Sequence, residues 1–191
     1  MEQTNDSFWR LHEPEHQRVR AFCRKLAGNR DDGDDLYQDA LVIALTNFGA
    51  LRDPAAFRPW LYRIVVNAFK NRVRRSWWRR LTTSAAALPD DRFGTVSPEP
   101  CYAARRRLER AFRALTADER ALITLFELDG WSVAELAVLY RKSEGSIKVR
   151  LFRTRKKLRR AVLRTAAANR TTETALAGKD EICVAGKPGE N

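Results

Sequence analysis

Two helices joined by a tight turn are predicted by residues 130–160, GWSVAELAVLYRKSEGSIKVRLFRTRKKLRR. Ser132 followed by Glu135 is a capping-box pattern, so the first helix should begin at Val133. Leu136, Ala137 and Tyr140 form an apolar stripe on this helix. The small side chain of Ala137 allows a second helix to cross it closely. Residues 141–143 form the turn, and the second helix should bury Ile147, Leu151 and Leu158. This is a helix-turn-helix, whose second helix lies in the major groove of DNA.

Charge supports a DNA-binding role for this arm. Residues 141–160 contain ten Lys or Arg and one acid, Glu144. A basic surface of this density is typical of phosphate binding. The alternative is a solvated basic helix packed on an apolar core. The coincidence of a cap, a small crossing residue, a turn and a basic exit helix favours DNA.

Composition limits the remaining possibilities. The chain has 191 residues, a formal net charge of +12 and 44% apolar residues, enough for one large or two small domains. Positive charge favours nucleic acid over a membrane surface, and no apolar run reaches the length of a bilayer span. The N-terminus does not resemble a signal peptide. Three widely spaced cysteines do not suggest a disulfide framework, so we expect a cytoplasmic protein.

The N-terminal part predicts an amphipathic helix from Phe8 to about Leu26. Its core face should contain Val19, Phe22, Cys23 and Leu26. His12, His16 and Cys23 are conceivable metal ligands, but no second cysteine or acidic general base stands nearby. We therefore predict an ordinary helix with no metal and no cofactor.

Five aspartates occur in residues 31–39, DDGDDLYQD, within an otherwise basic chain. The helix that follows, to about Phe48, should bury Tyr37, Leu41, Ala44 and Phe48. Asp35, Gln38, Asp39 and Val42 then share another face. One explanation for the acids in residues 31–35 is that negative charge at a helix N-terminus complements the helix dipole. That explanation does not cover Gln38 and Asp39, and we favour a role for them in binding a basic protein partner.

A long helix is predicted from Phe57 to about Trp78. Its core side should contain Trp60, Leu61, Ile64, Val65 and Ala68. A polar stripe, with Asn71 and Arg75 beside it, contains Arg63, Asn67, Lys70 and Arg74. Amides beside cations, interleaved with aromatic rings, suit unpaired bases. The rings are Phe57, Trp60, Tyr62, Phe69, Trp77 and Trp78. The alternative is that rings are core and charges solvated; we favour core or mixed duty for Trp60 and DNA for the polar stripe.

Residues 82–104 are rich in Pro and Asp and predict a flexible linker. A helix with Leu108, Phe112 and Leu115 then leads to a second capping box, Thr116 with Glu119. Residues 165–191 predict a disordered tail. The fold class is therefore all-α, with two small helical domains, the second ending in the helix-turn-helix. No catalytic motif is present, so we do not expect an enzyme.

With these residues in place, the chain resembles the extracytoplasmic-function sigma factors of bacterial RNA polymerase. DDLYQDALVIAL resembles their polymerase clamp-binding segment, and AFRPWLYRIVVNAFKNRVRR resembles their promoter-melting helix. LTADERALITLFELDGWSVAELAVLYRKSEGSIKVRLFRTRKKL resembles their C-terminal DNA-binding domain. The match covers roughly residues 8–163 in the same order. It implies a region 2-like domain at 8–81 and a region 4-like domain at 105–164.

The resemblance also implies roles for individual residues. Asp35, Gln38 and Asp39 would bind the largest subunits of core RNA polymerase. The −10 promoter element would be bound by Arg63, Asn67, Lys70, Asn71 and Arg74. The −35 element would be bound by Ser146, Lys148, Val149, Arg150, Phe152 and Arg153. An anti-sigma factor is a further expected partner, and membrane insertion is not expected.

Three positions depart from the family pattern. Arg141 stands where the family usually has glycine, in a turn that tends toward positive φ, at a cost of about 1 kcal/mol. Lys142 replaces a small apolar residue, and Val149 removes a hydrogen-bonding side chain from the recognition helix. The resemblance therefore does not determine which −35 base sequence this helix would recognise.

Two other functions compete with this interpretation. A stand-alone helix-turn-helix regulator would explain the C-terminal half but leave residues 31–80 without a role. A recombinase with an appended helix-turn-helix lacks a nucleophile or metal set in this sequence.

Overall fold

The computed structural model describes the backbone of residues 2–82 and 108–180, with side chains at 6–76 and 108–165. All regular structure in these ranges is helical, which confirms the all-α fold class. The N-terminal helices are α1 (Glu2–His12), α2 (His16–Ala27), α3 (Arg30–Asn47) and α4 (Phe57–Thr82). Short 3₁₀ turns occupy Glu13–Glu15, Phe48–Ala50 and Pro54–Ala56. The C-terminal helices are α5 (Ala117–Glu127), α6 (Val133–Tyr140) and α7 (Glu144–Asp180). None of the helices in these ranges is both long and apolar enough to cross a membrane.

The predicted helix from Phe8 to Leu26 is interrupted. Pro14 lies in the 3₁₀ turn that separates α1 from α2. Proline lacks the N–H that a continuous helix needs, so the helix is interrupted at this point. The predicted core face is confirmed, since Val19, Phe22, Cys23 and Leu26 are all buried. Gly28, at φ 86°, ends α2.

Helix α3 begins earlier than the acidic run suggests. Asn29 caps it by accepting a hydrogen bond from the Asp32 N–H at 2.8 Å, so the aspartates lie within the helix. The buried side chains are Leu36, Tyr37, Ala40 and Ala44. The predicted core residues Leu41 and Phe48 are only half-buried, which corrects the register. Gly33 sets that register, because a Cβ there would lie 2.5 Å from the Cα of Arg24 in α2.

Helix α4 buries two sides rather than one. Leu61 and Val65 are buried as predicted, but Trp60, Ile64 and Ala68 are half-buried. The remaining buried residues are Phe57, Tyr62, Val66 and Phe69. The wide apolar surface has a simple cause: α4 packs against α2 and α3, and also against α5 and α6.

The helix-turn-helix forms as predicted. Thr116 with Glu119, and Ser132 with Glu135, make complete capping boxes at the starts of α5 and α6. Arg141 ends α6 in the left-handed region, at φ 51° and ψ 51°. The Ser146 N–H donates to Ser143 Oγ at 3.3 Å, so Ser143 caps α7.

The packing of the helix-turn-helix matches the predicted seam in part. Leu136, Ile147 and Leu151 are buried, whereas Ala137, Tyr140 and Leu158 are half-buried. Residues 108–112 are helical, and Leu115 is buried, but Leu108 is exposed and Phe112 half-buried. Further residues that the sequence analysis did not single out are also buried, among them Trp131, Leu139 and Thr154.

Helix α7 extends to Asp180, whereas composition predicts a disordered tail from residue 165. Residues 165–180 continue an existing helix, so they need no new nucleus, and their alanines are strong helix formers.

The predicted linker lies outside the described residues, apart from Thr82 at the end of α4. Contacts group the chain into two compact units, 1–95 with 115–155, and 96–114 with 156–191. This grouping places residues 115–155 with the N-terminal helices, unlike the sequence-based division at 81 and 105.

Candidate polymerase and nucleic-acid interfaces

The acidic face of α3 is exposed. Asp35, Gln38 and Asp39 share it, and the carboxylate side chains of Asp35 and Asp39 are 64% and 68% exposed. Arg72 of α4 approaches this face, with Nη2 3.4 Å from Asp35 and Nη1 3.9 Å from Asp39. Exposed pairs of this kind contribute little to stability. The carboxylates of Asp35 and Asp39 are therefore largely accessible to solvent.

Asp34 has a different role from its neighbours. Its carboxylate accepts two hydrogen bonds from Arg24 at 2.8 Å and two from Arg20 at 3.0 Å. These bonds, first from Arg24 and then from Arg20, hold the pKa of Asp34 well below its usual range. Asp34 thus joins α3 to α2, a role that the sequence pattern did not separate from the rest of the acidic run.

A groove connects the acidic face to the polar stripe of α4. It encloses about 470 Å³ and is lined by Asp39, Val42, Ile43, Ala68, Asn71, Arg72 and Arg75. Val42 and Ile43 are exposed apolar side chains at its edge. Asp39 and Asn71 therefore lie on one continuous surface.

The polar stripe of α4 is largely exposed. Asn67, Lys70, Asn71 and Arg74 are exposed, and Arg63 is half-buried. Arg74 Nη2 donates to Asn71 Oδ1 at 3.4 Å, while Lys70 Nζ lies 3.1 Å from Asp118. Burial, and then the charge of Arg141, lower the pKa of Arg63. The structure thus brings the five predicted −10 residues onto one side of the helix.

The aromatic rings of α4 are mostly core residues. Phe57, Tyr62 and Phe69 are at most 4% exposed, which favours the alternative that these rings belong to the core. Their burial follows from the two packing sides of α4. Trp60 is half-buried, consistent with core or mixed duty. The side chains of Trp77 and Trp78 lie outside the described residues.

The exposed side of α7 carries most of the predicted −35 residues. Lys148, Val149, Phe152 and Arg153 are exposed, whereas Ser146 and Arg150 are half-buried. The Arg150 guanidinium lies 4.9 Å from the ring centroid of Tyr140, a cation–π contact that orients it. Phe152 is 66% exposed, so an apolar group stands beside Arg153 on the exposed side of α7.

The basic residues of α7 are not equivalent. Arg155 Nε donates to Glu127 at 2.7 Å, and its guanidinium lies 4.9 Å from the ring centroid of Phe126. Arg155 therefore fastens α7 to α5. The number of basic residues in the sequence does not distinguish Arg155, which makes these contacts, from Arg153 and Lys156.

The histidines of the N-terminal helices form a hydrogen-bonded cluster. The hydroxyl of Tyr37 lies 2.9 Å from His12 Nε2 and 2.8 Å from His16 Nδ1. Burial, and then the charge of His16, lower the pKa of His12.

Cys23 is buried, and desolvation raises the pKa of its thiol to about 12. Among the side chains that the structure describes, no three His, Cys, Asp or Glu residues are grouped so that they could hold a metal.

Comparisons with known proteins match both halves of the chain. Residues 11–79 match the family model "Sigma-70 region 2", and residues 105–158 match "Sigma-70, region 4". The ECF RNA polymerase sigma factor SigM of Mycobacterium tuberculosis is 33% identical over 156 residues, which cover 81% of this chain and 75% of that protein. The ECF RNA polymerase sigma-E factor of Escherichia coli K12 is 31% identical, over 65% of this chain and 70% of that one.

Two solved structures share the fold. The sigma factor RpoE of Bartonella quintana, in complex with the anti-sigma factor NepR, aligns with a TM-score of 0.59 and 23% identity. That alignment covers 81% of this chain and 96% of RpoE. CnrH, in complex with the cytosolic domain of CnrY, aligns with a TM-score of 0.54 and 24% identity, covering 79% and 84%. With both sigma regions matched in order, and relatives above 30% identity, the chain belongs to the ECF sigma factors, which direct transcription initiation by RNA polymerase.

Proposed function

We propose that this sigma factor divides polymerase binding, −10 recognition and −35 recognition among three surfaces. The first two belong to a region 2-like domain at residues 8–81. The third belongs to a region 4-like domain at 105–164, with residues 82–104 as the linker and 165–191 as a C-terminal extension. The chain acts in the bacterial cytoplasm and needs neither catalytic residues nor a cofactor.

The polymerase surface consists of Asp35, Gln38 and Asp39. Its partner is a basic surface on the largest subunits of core RNA polymerase. Support comes from the exposure of all three residues in a chain of net charge +12. Long-range attraction between opposite charges speeds association and fixes the register of the complex.

The −10 surface consists of Arg63, Asn67, Lys70, Asn71 and Arg74. The cations attract the phosphates of the promoter, and the amides of Asn67 and Asn71 hydrogen-bond to bases that have left the duplex. The groove beside Asn71 offers apolar Val42 and Ile43 to such a base. Melting is then favoured because unpaired bases gain contacts that paired bases cannot make.

The −35 surface is the exposed side of α7. Arg153 reads a base edge in the major groove, with Lys148, Val149 and Phe152 beside it. Ser146 and Arg150, which are half-buried, position the helix against the DNA backbone.

The observation that carries the proposal is the presence of both sigma regions, in order, on a chain whose matching faces are exposed. Binding order tests it. The full chain should co-elute with core polymerase in the absence of DNA, and the complex should select promoter fragments that the free chain does not select. A stand-alone regulator would instead select its operator without polymerase.

An anti-sigma factor is a further proposed partner. RpoE and CnrH were both solved with a bound protein, which their descriptions name as NepR and as the cytosolic domain of CnrY. Such a partner for this chain would have to cover the acidic face of α3 or the exposed side of α7 to prevent initiation.

A further inference from the structure

Arg72 of α4 pairs with aspartates of α3, two of which belong to the proposed polymerase surface. Its Nη2 lies 2.8 Å from Asp32 and 3.4 Å from Asp35, and its Nη1 lies 3.9 Å from Asp39. The Arg72 side chain is 34% exposed, whereas those of the three aspartates are between 54% and 68% exposed. One guanidinium from α4 therefore serves three carboxylates on the neighbouring helix.

Arg72 also lies beside the proposed −10 surface. It directly follows Asn71 in the chain, and a groove of about 470 Å³ is lined by Asp39 of α3 and by Asn71, Arg72 and Arg75 of α4. An arginine side chain that turns away from α3 within this groove stays next to Asn71, which is proposed to meet an unpaired base. Arg72 thus stands between the two surfaces and belongs to neither of the residue sets assigned to them above.

A basic partner on the acidic face would disturb the position of Arg72. Basic groups of core polymerase that approach Asp35 and Asp39 would lie close to the Arg72 guanidinium, and like charges at short range repel each other. The exposed pairs that hold Arg72 are individually weak, so its displacement costs little. A released arginine can bind a phosphate with two parallel hydrogen bonds and can stack on an unpaired base.

We infer that Arg72 is a further DNA-binding residue of the −10 surface, held by Asp32 and Asp35 in the free chain and released to the promoter when core polymerase binds the acidic face. The inference rests on the proposed function, from which it takes both surfaces. Because linkage between two binding events is reciprocal, promoter DNA that binds Arg72 also uncovers the aspartates for polymerase. Each partner therefore strengthens the binding of the other.

Affinity for core polymerase in the absence of DNA is the first measurement. In the full chain, Arg72→Gln removes the partner that polymerase would have to displace, so binding should tighten by about threefold, the size expected for an exposed ion pair. Arg75→Gln is the matched control, because it removes the same charge from the same groove. Within the described residues, no ion pair of the acidic face involves Arg75. Its affinity should equal that of the unsubstituted chain.

The salt dependence of DNA binding is the second measurement. The probe is the non-template strand of a promoter fragment selected by the complex of this chain with polymerase. Each phosphate neutralised on a single strand adds about 0.7 to the slope of log affinity against log salt concentration. Arg72→Gln should lower that slope by about 0.7 in the complex and leave it unchanged in the free chain. Arg72→Lys keeps the charge and should retain most of the slope.

Asp32→Asn provides the complementary change. It weakens the closest contact of Arg72 without altering Asp35 or Asp39 of the polymerase surface. The free chain should then gain up to about 0.7 in slope, because Arg72 becomes available to the strand. The gain should disappear when Asp32→Asn is combined with Arg72→Gln. Circular dichroism checks that all variants keep their helix content.

Three results would overturn the inference: affinity of Arg72→Gln for polymerase no higher than that of Arg75→Gln, a slope in the complex that Arg72→Gln does not lower, or an equal lowering in the free chain. If Arg72→Gln lost helix content, Asp32→Asn alone would serve, since an unchanged slope of the free chain contradicts release. Failure of the unsubstituted chain to bind core polymerase would instead overturn the proposed function, and the inference with it.

Discussion

Arg141 adopts a backbone conformation that suits glycine better. At φ 51° it is the one non-glycine residue with positive φ in the described parts of the chain. Its N–H donates to the carbonyl of Val138 at 3.3 Å, and the Lys142 N–H donates to that of Ala137 at 3.0 Å, so the left-handed turn closes α6. A residue with a Cβ pays about 1–2 kcal/mol in this region.

Replacement of Arg141 by glycine should therefore stabilise the fold. Arg141→Gly should raise the free energy of unfolding by about 1 kcal/mol relative to Arg141→Ala, measured by urea denaturation. The alanine variant removes the same charge but keeps the Cβ, so the difference isolates the backbone. Equal stabilities of the two variants would contradict the assignment of strain to this turn.

Asn67 and Asn71 allow a test of base recognition at the residue scale. Neutral amides add little to phosphate attraction, so the double variant Asn67→Ala, Asn71→Ala should keep its affinity for polymerase and the salt dependence of DNA binding. Strand opening at the −10 element should slow, and a template with a preformed bubble should restore most of the activity. The rate of opening can be followed by permanganate reactivity of unpaired thymines.

The matched control is Asn47→Ala, which removes an exposed amide at the last residue of α3, outside α4. Its Nδ2 donates only to the Ile43 carbonyl of its own helix, at 2.7 Å. If the double variant opens the native duplex at the normal rate with unchanged base preference, the two amides are only solvated surface.

At the scale of single elements, caps and turns were the features best predicted from sequence. The capping boxes at Thr116 and Ser132, and the turn after α6, depend on side chains three residues apart, so a linear pattern contains them. Interior faces were predicted less well. Tyr62 and Phe69 interleave with cations in the sequence, yet they are buried because helices on both sides of α4 cover it.

The candidate site could be predicted by face but not by contact. Exposure of Asp35, Asp39, Asn67 and Arg153 follows from helical periodicity, which is local. The pairing of Asp34 with Arg24, of Lys70 with Asp118 and of Arg155 with Glu127 depends on which helices meet. The spacing of residues along the sequence does not determine which helices pack together.

Helix α7 should separate base contacts from phosphate contacts. Arg153→Ala should change the preferred −35 sequence, because a bidentate arginine–guanine contact contributes about 1–3 kcal/mol of discrimination. Lys156→Ala should weaken all promoters by a similar factor, since a phosphate contact carries no sequence information. A promoter library transcribed with each variant distinguishes these results. Uniform loss with Arg153→Ala would assign that residue to phosphate instead.

At the scale of the whole molecule, the acidic face of α3 should control assembly with polymerase. The double variant Asp35→Lys, Asp39→Lys should weaken binding to core polymerase by several kcal/mol, because like charges then face each other. The fold should survive, since both carboxylates are exposed and their contacts with Arg72 are weak.

The control for assembly is Asp6→Lys with Glu13→Lys. Both positions are exposed and lie outside α3, and the pair makes the same change of net charge. Affinity is measured by competition for labelled core polymerase. Equal affinities of the control and the Asp35, Asp39 variant would remove the acidic face from the interface.

As a sigma factor, this chain should give core polymerase its promoter specificity. The most direct measurement is transcription of a randomised promoter library by purified core polymerase, with and without the full chain. We expect transcripts only when the chain is present, from templates that share two separate sequence elements upstream of the start site. Transcripts that are unchanged by the chain, or that it alters only when another sigma factor is supplied, would contradict the account.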